Sequence, residues 1–222
     1  MKGKLITFEG IDGSGKSTQT KLLLEHLEKE GIANAFLSFP QYGKKSAGLI
    51  EEYLAGSYGS GAEIGPYRAS IFYACDRYDA SFAIQEWLQE GRIVVTDRYI
   101  GSNVGHQGGK IQDANERKKF LAWLFHLEYE IFGIPKPDKT FFLQVPPELA
   151  AKLCENPERR RVKKNDIHEN DREHLSATFR VYQEAAALSP QEIIRIECVN
   201  GDHLLAPEEI HRQIWASLLP TL

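Results

Sequence analysis

Apolar residues fall along this chain in two alternating rhythms. Short runs rich in β-branched and aromatic residues occur at Lys4–Phe8, Ala35–Phe39, Ile93–Asp97, Thr140–Val145 and Ile193–Cys198, and each reads as a strand. The third, Ile93-Val94-Val95-Thr96-Asp97, is continuously apolar until its final carboxylate, the pattern of a strand covered on both faces of a parallel sheet. Between these runs the spacing turns helical. Leu22, Leu23, Leu24 and Leu27 precede a stop at Gly31. Ala47–Leu54 predicts a short helix. Ala69, Phe72, Tyr73, Ala80, Ile84 and Trp87 predict a long one from Pro66 to about Gln89, closed by Gly91. Ala114–Phe132, Pro147 to about Cys154, Asp171–Ala187 and Pro207–Leu218 complete the set. Strands alternating with helices predict a five-stranded parallel sheet with helices on both faces, a three-layer α/β/α architecture.

The intervals between these elements are of different kinds. Gly56–Gly65 and Arg98–Lys110 read as loops, and Asn200-Gly201-Asp202 as a turn. Asn156–Asn170 carries Arg159, Arg160, Arg161, Lys163 and Lys164 with little apolar content. The reading is one domain over residues 1–222, with a mobile basic insertion at about 156–170.

Composition narrows the classes. A formal net charge of −4 over 222 residues argues against a general binder of nucleic acid or membrane surfaces. No apolar run approaches the length of a membrane span, and no signal-peptide core follows Met1. The three cysteines, Cys75, Cys154 and Cys198, are odd in number and widely spaced. They read as reduced thiols of a cytosolic protein and lack metal-ligand spacing.

The chemistry begins directly after the first strand. Gly10-Ile11-Asp12-Gly13-Ser14-Gly15-Lys16-Ser17, followed by Thr18, matches the phosphate-binding pattern G-x-x-x-x-G-K-[ST] in the strand–loop–helix context that pattern requires. The glycines let the backbone aim its N–H groups inward, and the helix start adds partial positive charge. Lys16 supplies a full charge for β- and γ-phosphates, and Ser17 a hydroxyl for Mg²⁺. Asp97-Arg98 ends the third strand on the same sheet edge, where open α/β sheets bind ligands. The carboxylate suits Mg²⁺ and the guanidinium suits a phosphate; the alternative is an internal ion pair. Arg77 lies one turn after Tyr73. That pair could grip a flat base by hydrogen bonds and stacking, while Phe72 and Tyr73 could also be core. No N-K-x-D motif is present, which weakens a GTPase reading.

The runs TFEGIDGSGKSTQ, FPQYG, YACDR, DRYIGSN and PKPD occur in an order that resembles thymidylate kinases over most of the chain. The resemblance implies a P-loop kinase fold and a homodimer. It implies transfer of the ATP γ-phosphoryl group to the 5′-phosphate of dTMP with Mg²⁺. Gly10 to Thr18 would hold the donor phosphates and Asp12 would face the acceptor sugar. Phe39 and Tyr42 would lie beside the acceptor phosphate, Tyr73 would stack on the base and Arg77 would bond its edge. Arg98 would hold the acceptor phosphate, with Asp97 near the metal; Ser102 and Asn103 would supply polar contacts to the acceptor. Backbone near Asn200–Leu205 is a candidate for reading adenine.

The acceptor phosphate is mostly dianionic at neutral pH, its second pKa being about 6, so no general base is required. The task is to align two polyanions and neutralise developing charge. Ser14 occupies a loop position where some thymidylate kinases carry arginine, so the basic insertion, with Arg161 as the candidate, would supply that cation as a closing lid. Three positions depart from the family pattern: His106, where many relatives have an aromatic residue beside the sugar; Ser38, where one subgroup has arginine; and Asp166–Glu169, a loose match to the acidic end of the lid. The rival readings are a kinase for another nucleoside monophosphate, a nucleoside kinase, and a nucleotide-dependent switch. A nucleoside kinase needs a carboxylate base near the end of the second strand, and Ser38-Phe39-Pro40 has none.

Overall fold

A computed structural model describes residues 3–154 and 172–222. Strand β1 (Lys4–Glu9) leads through the glycine loop into helix α1 (Lys16–Lys29), and β2 (Asn34–Ser38) follows. Helices α2 (Gly48–Leu54) and α3 (Gly61–Gln89) precede β3 (Ile93–Asp97). A short helix α4 (Ile100–Ser102) runs into a wide π-type turn at Asn103–Gln107. Helix α5 (Ala114–Phe125) widens likewise at His126–Ile131. Then come β4 (Lys139–Gln144), α6 (Pro147–Cys154), α7 (Arg172–Leu188), β5 (Ile193–Glu197), the hairpin β6 (Val199–Asn200) and β7 (His203–Leu204), and α8 (Pro207–Leu218).

The sheet has the order β2-β3-β1-β4-β5 and every pairing in it is parallel. Successive side chains of a strand point to opposite faces, and the core divides accordingly. Ile6, Phe8, Ile93 and Val95 pack with Leu23 and Leu27 of α1 and Ile210 and Ile214 of α8. Leu5 and Val94 pack with Ala80 and Ile84 of α3 and Phe120 and Leu124 of α5. The three expected layers are therefore present. Register then builds the site: Phe8 pairs with Asp97, and Ser38 also pairs with Asp97. Central strand β1 and its neighbours thus end level, delivering Gly10, Arg98 and Phe39 to one rim.

Two loop expectations are corrected. Ser60 and Glu63 form a reciprocal cap, so Gly61 already begins a helical turn; Gly65, at φ 73°, then breaks it before Pro66. The helix resumes at Pro66, whose fixed φ suits a first turn. The segment after Arg98 is helical rather than loop, despite Gly101, Gly105, Gly108 and Gly109. A Cβ on Gly105 would lie 2.5 Å from the Tyr182 ring, and one on Gly101 2.8 Å from the Glu9 side chain. Glycine costs roughly 0.5–1 kcal/mol of helix propensity, but here it permits close packing on α7 and β1, and packing prevails. The basic stretch assigned as a lid, Arg161 included, lies outside the described residues.

Candidate active site

The glycine loop wraps its own lysine. Lys16 Nζ donates to Gly10 O at 3.0 Å, to Ile11 O at 2.8 Å and to Ser14 Oγ at 3.5 Å. Burial, reinforced by the positive charge of Arg98, pushes the Lys16 pKa down to about 8. Ser14 is buried, Ser17 half-buried, and Gly15 and Thr18 exposed. Among the described residues a Cβ on Gly15 would meet nothing within 4 Å, whereas one on Gly13 would strike Ala150 O at 2.4 Å. The loop is therefore backed by α6 at Gly13 and open at Gly15.

A phosphate on this loop would hold the charged form of Lys16, so the lysine must gain a proton on binding once solution pH exceeds its pKa. The sign follows: ATP affinity is full on the acid side of about 8 and declines above it. We expect kcat/KM for ATP to stay flat up to about pH 7.5 and then fall toward tenfold per unit. A profile flat through pH 9.5, read by steady-state kinetics at saturating acceptor, would contradict this.

Arg98 is the centre of the second half. Its φ of 69° places a non-glycine residue in the left-handed region, a strain of order 1–3 kcal/mol that persists only where surroundings enforce it. Among the described residues three acceptors fix the guanidinium. Nη2 is ion-paired with Asp12 Oδ1. Nη1 donates to Ser102 Oγ at 3.3 Å and contacts His106 Nε2 at 3.3 Å. Burial would raise the Asp12 pKa, but Arg98 above all, and then Lys16, hold it below the usual carboxylate range. Burial opposes the Arg98 charge and Asp12 sustains it; the net shift is upward.

The holders of Arg98 are themselves held. Ser102 Oγ donates to Glu9 Oε2 at 2.7 Å; Glu9 also accepts from Tyr99 N at 2.7 Å and Tyr182 Oη at 2.9 Å. Burial raises the pKa of Glu9, while these hydrogen bonds and Arg98 oppose the rise. Glu9 thereby joins β1, α4 and α7 beneath the site.

Other expected residues divide. Tyr42 is 55 % exposed. Its loop is pinned from below: Gln41 N donates to Asp76 Oδ2 at 2.8 Å and Ser46 Oγ to Asp76 Oδ1 at 2.6 Å. Phe39 is buried at 3 %, edge-on to Tyr99 with centroids 5.7 Å apart. Tyr73 is half-buried and edge-on to Tyr53. Arg77, expected on a base edge, is 1 % exposed. Its Nε and Nη2 donate to Glu128 Oε2 and Oε1 at 2.7 and 2.5 Å, and Nη1 to Tyr99 O at 3.4 Å. In this structure its guanidinium forms an internal ion pair, leaving at most one hydrogen on each terminal nitrogen for a ligand.

Asn103 is buried and donates to Ser70 O at 3.3 Å. Gln107, one turn on, is missed by the sequence reading. It is 2 % exposed, and among the described residues its Oε1 has no partner, like Ser70 Oγ and Thr178 Oγ1. Buried polar atoms left unpaired cost about 1–3 kcal/mol each, so these atoms on α3, the π turn and α7 are each one hydrogen-bond partner short. Helical spacing from Asn103 is the signal that would have found Gln107.

A P-loop between β1 and α1, level with a strained arginine after β3 in a parallel β2-β3-β1-β4-β5 sheet, defines a phosphoryl-transfer enzyme of the P-loop kinase class. The thymidylate kinase family profile matches residues 8–214. Thymidylate kinase of Mycobacterium tuberculosis is 34 % identical over 185 residues, 82 % of this chain and 86 % of that protein. That of Rickettsia typhi is 30 % identical over 214 residues, 96 % of each. The structure of thymidylate kinase from Candida albicans superposes with a TM-score of 0.75 at 22 % identity, covering 99 % of this chain and 92 % of that one. This chain belongs to the thymidylate kinase family.

Proposed function

We propose that this chain transfers the γ-phosphoryl group of ATP to dTMP, yielding dTDP. The observation that carries the reading is the convergence of Lys16, Asp12 and Arg98 on one rim, beneath a family match spanning residues 8–214. The P-loop amides and Lys16 hold the donor phosphates. Arg98 takes the acceptor phosphate, which competes with Asp12 for its fork. The acceptor oxygen attacks the γ-phosphorus in line, the bond to the β-bridging oxygen breaks, and ADP leaves with that electron pair. Asn103 and Gln107 read the base from below, and Tyr73 stacks on it. The hydroxyl of Ser17 and the carboxylate of Asp97 are hard oxygen donors suited to Mg²⁺, which takes one or two such ligands and completes its shell with water and phosphate. Among the described residues no cluster of three or more His, Cys, Asp or Glu could hold a metal alone. Ser17 and Asp97 would hold the ion, and its chemistry there would be charge neutralisation. The basic stretch, with Arg161, supplies the cation that Ser14 does not, as a lid on a single catalytic domain.

A coupled ATP-consumption assay across dTMP, dUMP, CMP, UMP and thymidine tests the assignment. Highest kcat/KM with dTMP is expected; turnover of thymidine without dTMP would overturn it.

The working unit is a homodimer in a reducing cytoplasm. Ile71, Cys75, Tyr78 and Phe82 recur at helical spacing along α3 and are exposed, Phe82 at 61 %, with Ile131 at 62 % on the neighbouring π turn. Large apolar residues grouped on one face mark an interface, and the exposed thiol of Cys75 fits reducing surroundings. No helix among the described residues is long and apolar enough to cross a membrane. Phe82→Asp is expected to convert the dimer to monomer in size-exclusion chromatography with light scattering; an unchanged mass would remove α3 from the interface.

A further inference from the structure

Arginine offers hydrogens and no lone pair. The 3.3 Å contact of Arg98 Nη1 with His106 Nε2 therefore needs a lone pair on Nε2, which leaves the proton of a neutral His106 on Nδ1. Nδ1 faces His174 Nε2 at 3.3 Å, so His174 Nε2 accepts and His174 keeps its own proton on Nδ1. Donation runs one way, from Arg98 through His106 to His174. His174 is 8 % exposed in the first turn of α7. Its ring lies 5.5 Å from that of His106, and the Tyr182 ring closes the other side edge-on at 6.4 Å. Titratable groups face His106 from several elements: charged Asp12 and Lys16 from the loop and α1, charged Arg98 from the end of β3, and the neutral ring of His174 from α7. Burial first, then Arg98, holds the His106 pKa well below the ordinary histidine value, which keeps the neutral ring that the chain requires.

We propose that His174 is a positioning residue for phosphoryl transfer: by accepting from His106 Nδ1 it fixes the tautomer that receives Arg98, and through it the plane of the Arg98 fork. This rests on the reading of Arg98 as the acceptor-phosphate clamp. Of the three holders of Arg98, Asp12 is the anion an incoming phosphate displaces. Ser102 and His106 then keep Nη1 in place, so the effect of His174 falls on the acceptor-loaded enzyme.

The test compares wild type, His174→Phe and His174→Gln. Phenylalanine keeps a ring in place but removes the acceptor, whereas glutamine restores an amide oxygen. His174→Phe is expected to lower kcat/KM for dTMP about tenfold, the worth of one well-made hydrogen bond to a functional group. KM for ATP and the melting temperature should be unchanged, and His174→Gln should recover most of the loss. Independently of turnover, ¹⁵N-imidazole NMR should show wild-type His106 protonated at Nδ1, and His174→Phe should lose that bias. Wild-type kcat/KM in His174→Phe, equal losses in the Phe and Gln variants, or wild-type His106 protonated at Nε2 would each overturn the proposal. If His174→Phe melts early, the Gln variant and the wild-type tautomer decide. A wild type inert toward dTMP would defeat the proposed function instead, and the NMR result would still stand or fall alone.

Discussion

Lys16→Ala is expected to lower kcat by about 10³-fold while leaving the fold intact, the scale seen when one preorganised charge-stabilising donor is removed from a transition state. The physical basis is the position of the ammonium. It is 7 % exposed, bonded to Gly10 O and Ile11 O, and adjacent to the open face of the loop at Gly15. Its charge acts in a dry cradle where electrostatic stabilisation is strongest. Structure should survive, because the desolvated ammonium stabilises the empty loop little: its pKa is depressed to about 8, so burial outweighs its attractive partners. Steady-state kinetics beside a thermal melt checks both halves. A kcat within about threefold of wild type would remove Lys16 from the chemistry, and loss of the folding transition would make its role structural.

The second large effect is expected at Glu128, through stability. Glu128 is fully buried and bidentate to Arg77, itself 1 % exposed. Desolvation works against the Arg77 charge, and Glu128 sustains it through Coulomb attraction and hydrogen bonding; the net shift is upward. Glu128→Ala strips that compensation and leaves a buried cation held by the Tyr99 carbonyl at 3.4 Å. The expected destabilisation is about 3–5 kcal/mol, a large part of the roughly 5–15 kcal/mol that holds a domain folded. Arg77→Met combined with Glu128→Leu should recover most of it, since a well-packed apolar pair often equals a buried ion pair. Urea unfolding of the three forms measures this. A Glu128→Ala loss below about 1 kcal/mol would show the pair to be solvated and Arg77 accessible after all.

Much of the fold could be read directly from the chain. The five strands sit within a residue or two of the apolar runs, because alternation and helical spacing are properties of neighbouring residues. The phosphate loop was equally readable, since its function depends on contiguous backbone between one strand and one helix. The segment after Arg98 misled for a definable reason. Its glycines argue against a helix by propensity, yet Gly105 faces Tyr182 and Gly109 faces Thr178, contacts across some seventy residues that no local window contains.

Sequence alone therefore determined the strand–loop–helix that carries Lys16 and the carboxylate–arginine pair at the end of β3. The folded chain chose the partners. It gave Arg77 to Glu128, set Arg98 among Asp12, Ser102 and His106, and brought His174, which lies in none of the motifs, against His106. Local geometry follows from adjacent side chains competing for one backbone conformation. Pairing between distant charges follows from sheet order and strand register, and these are fixed only when the whole core closes.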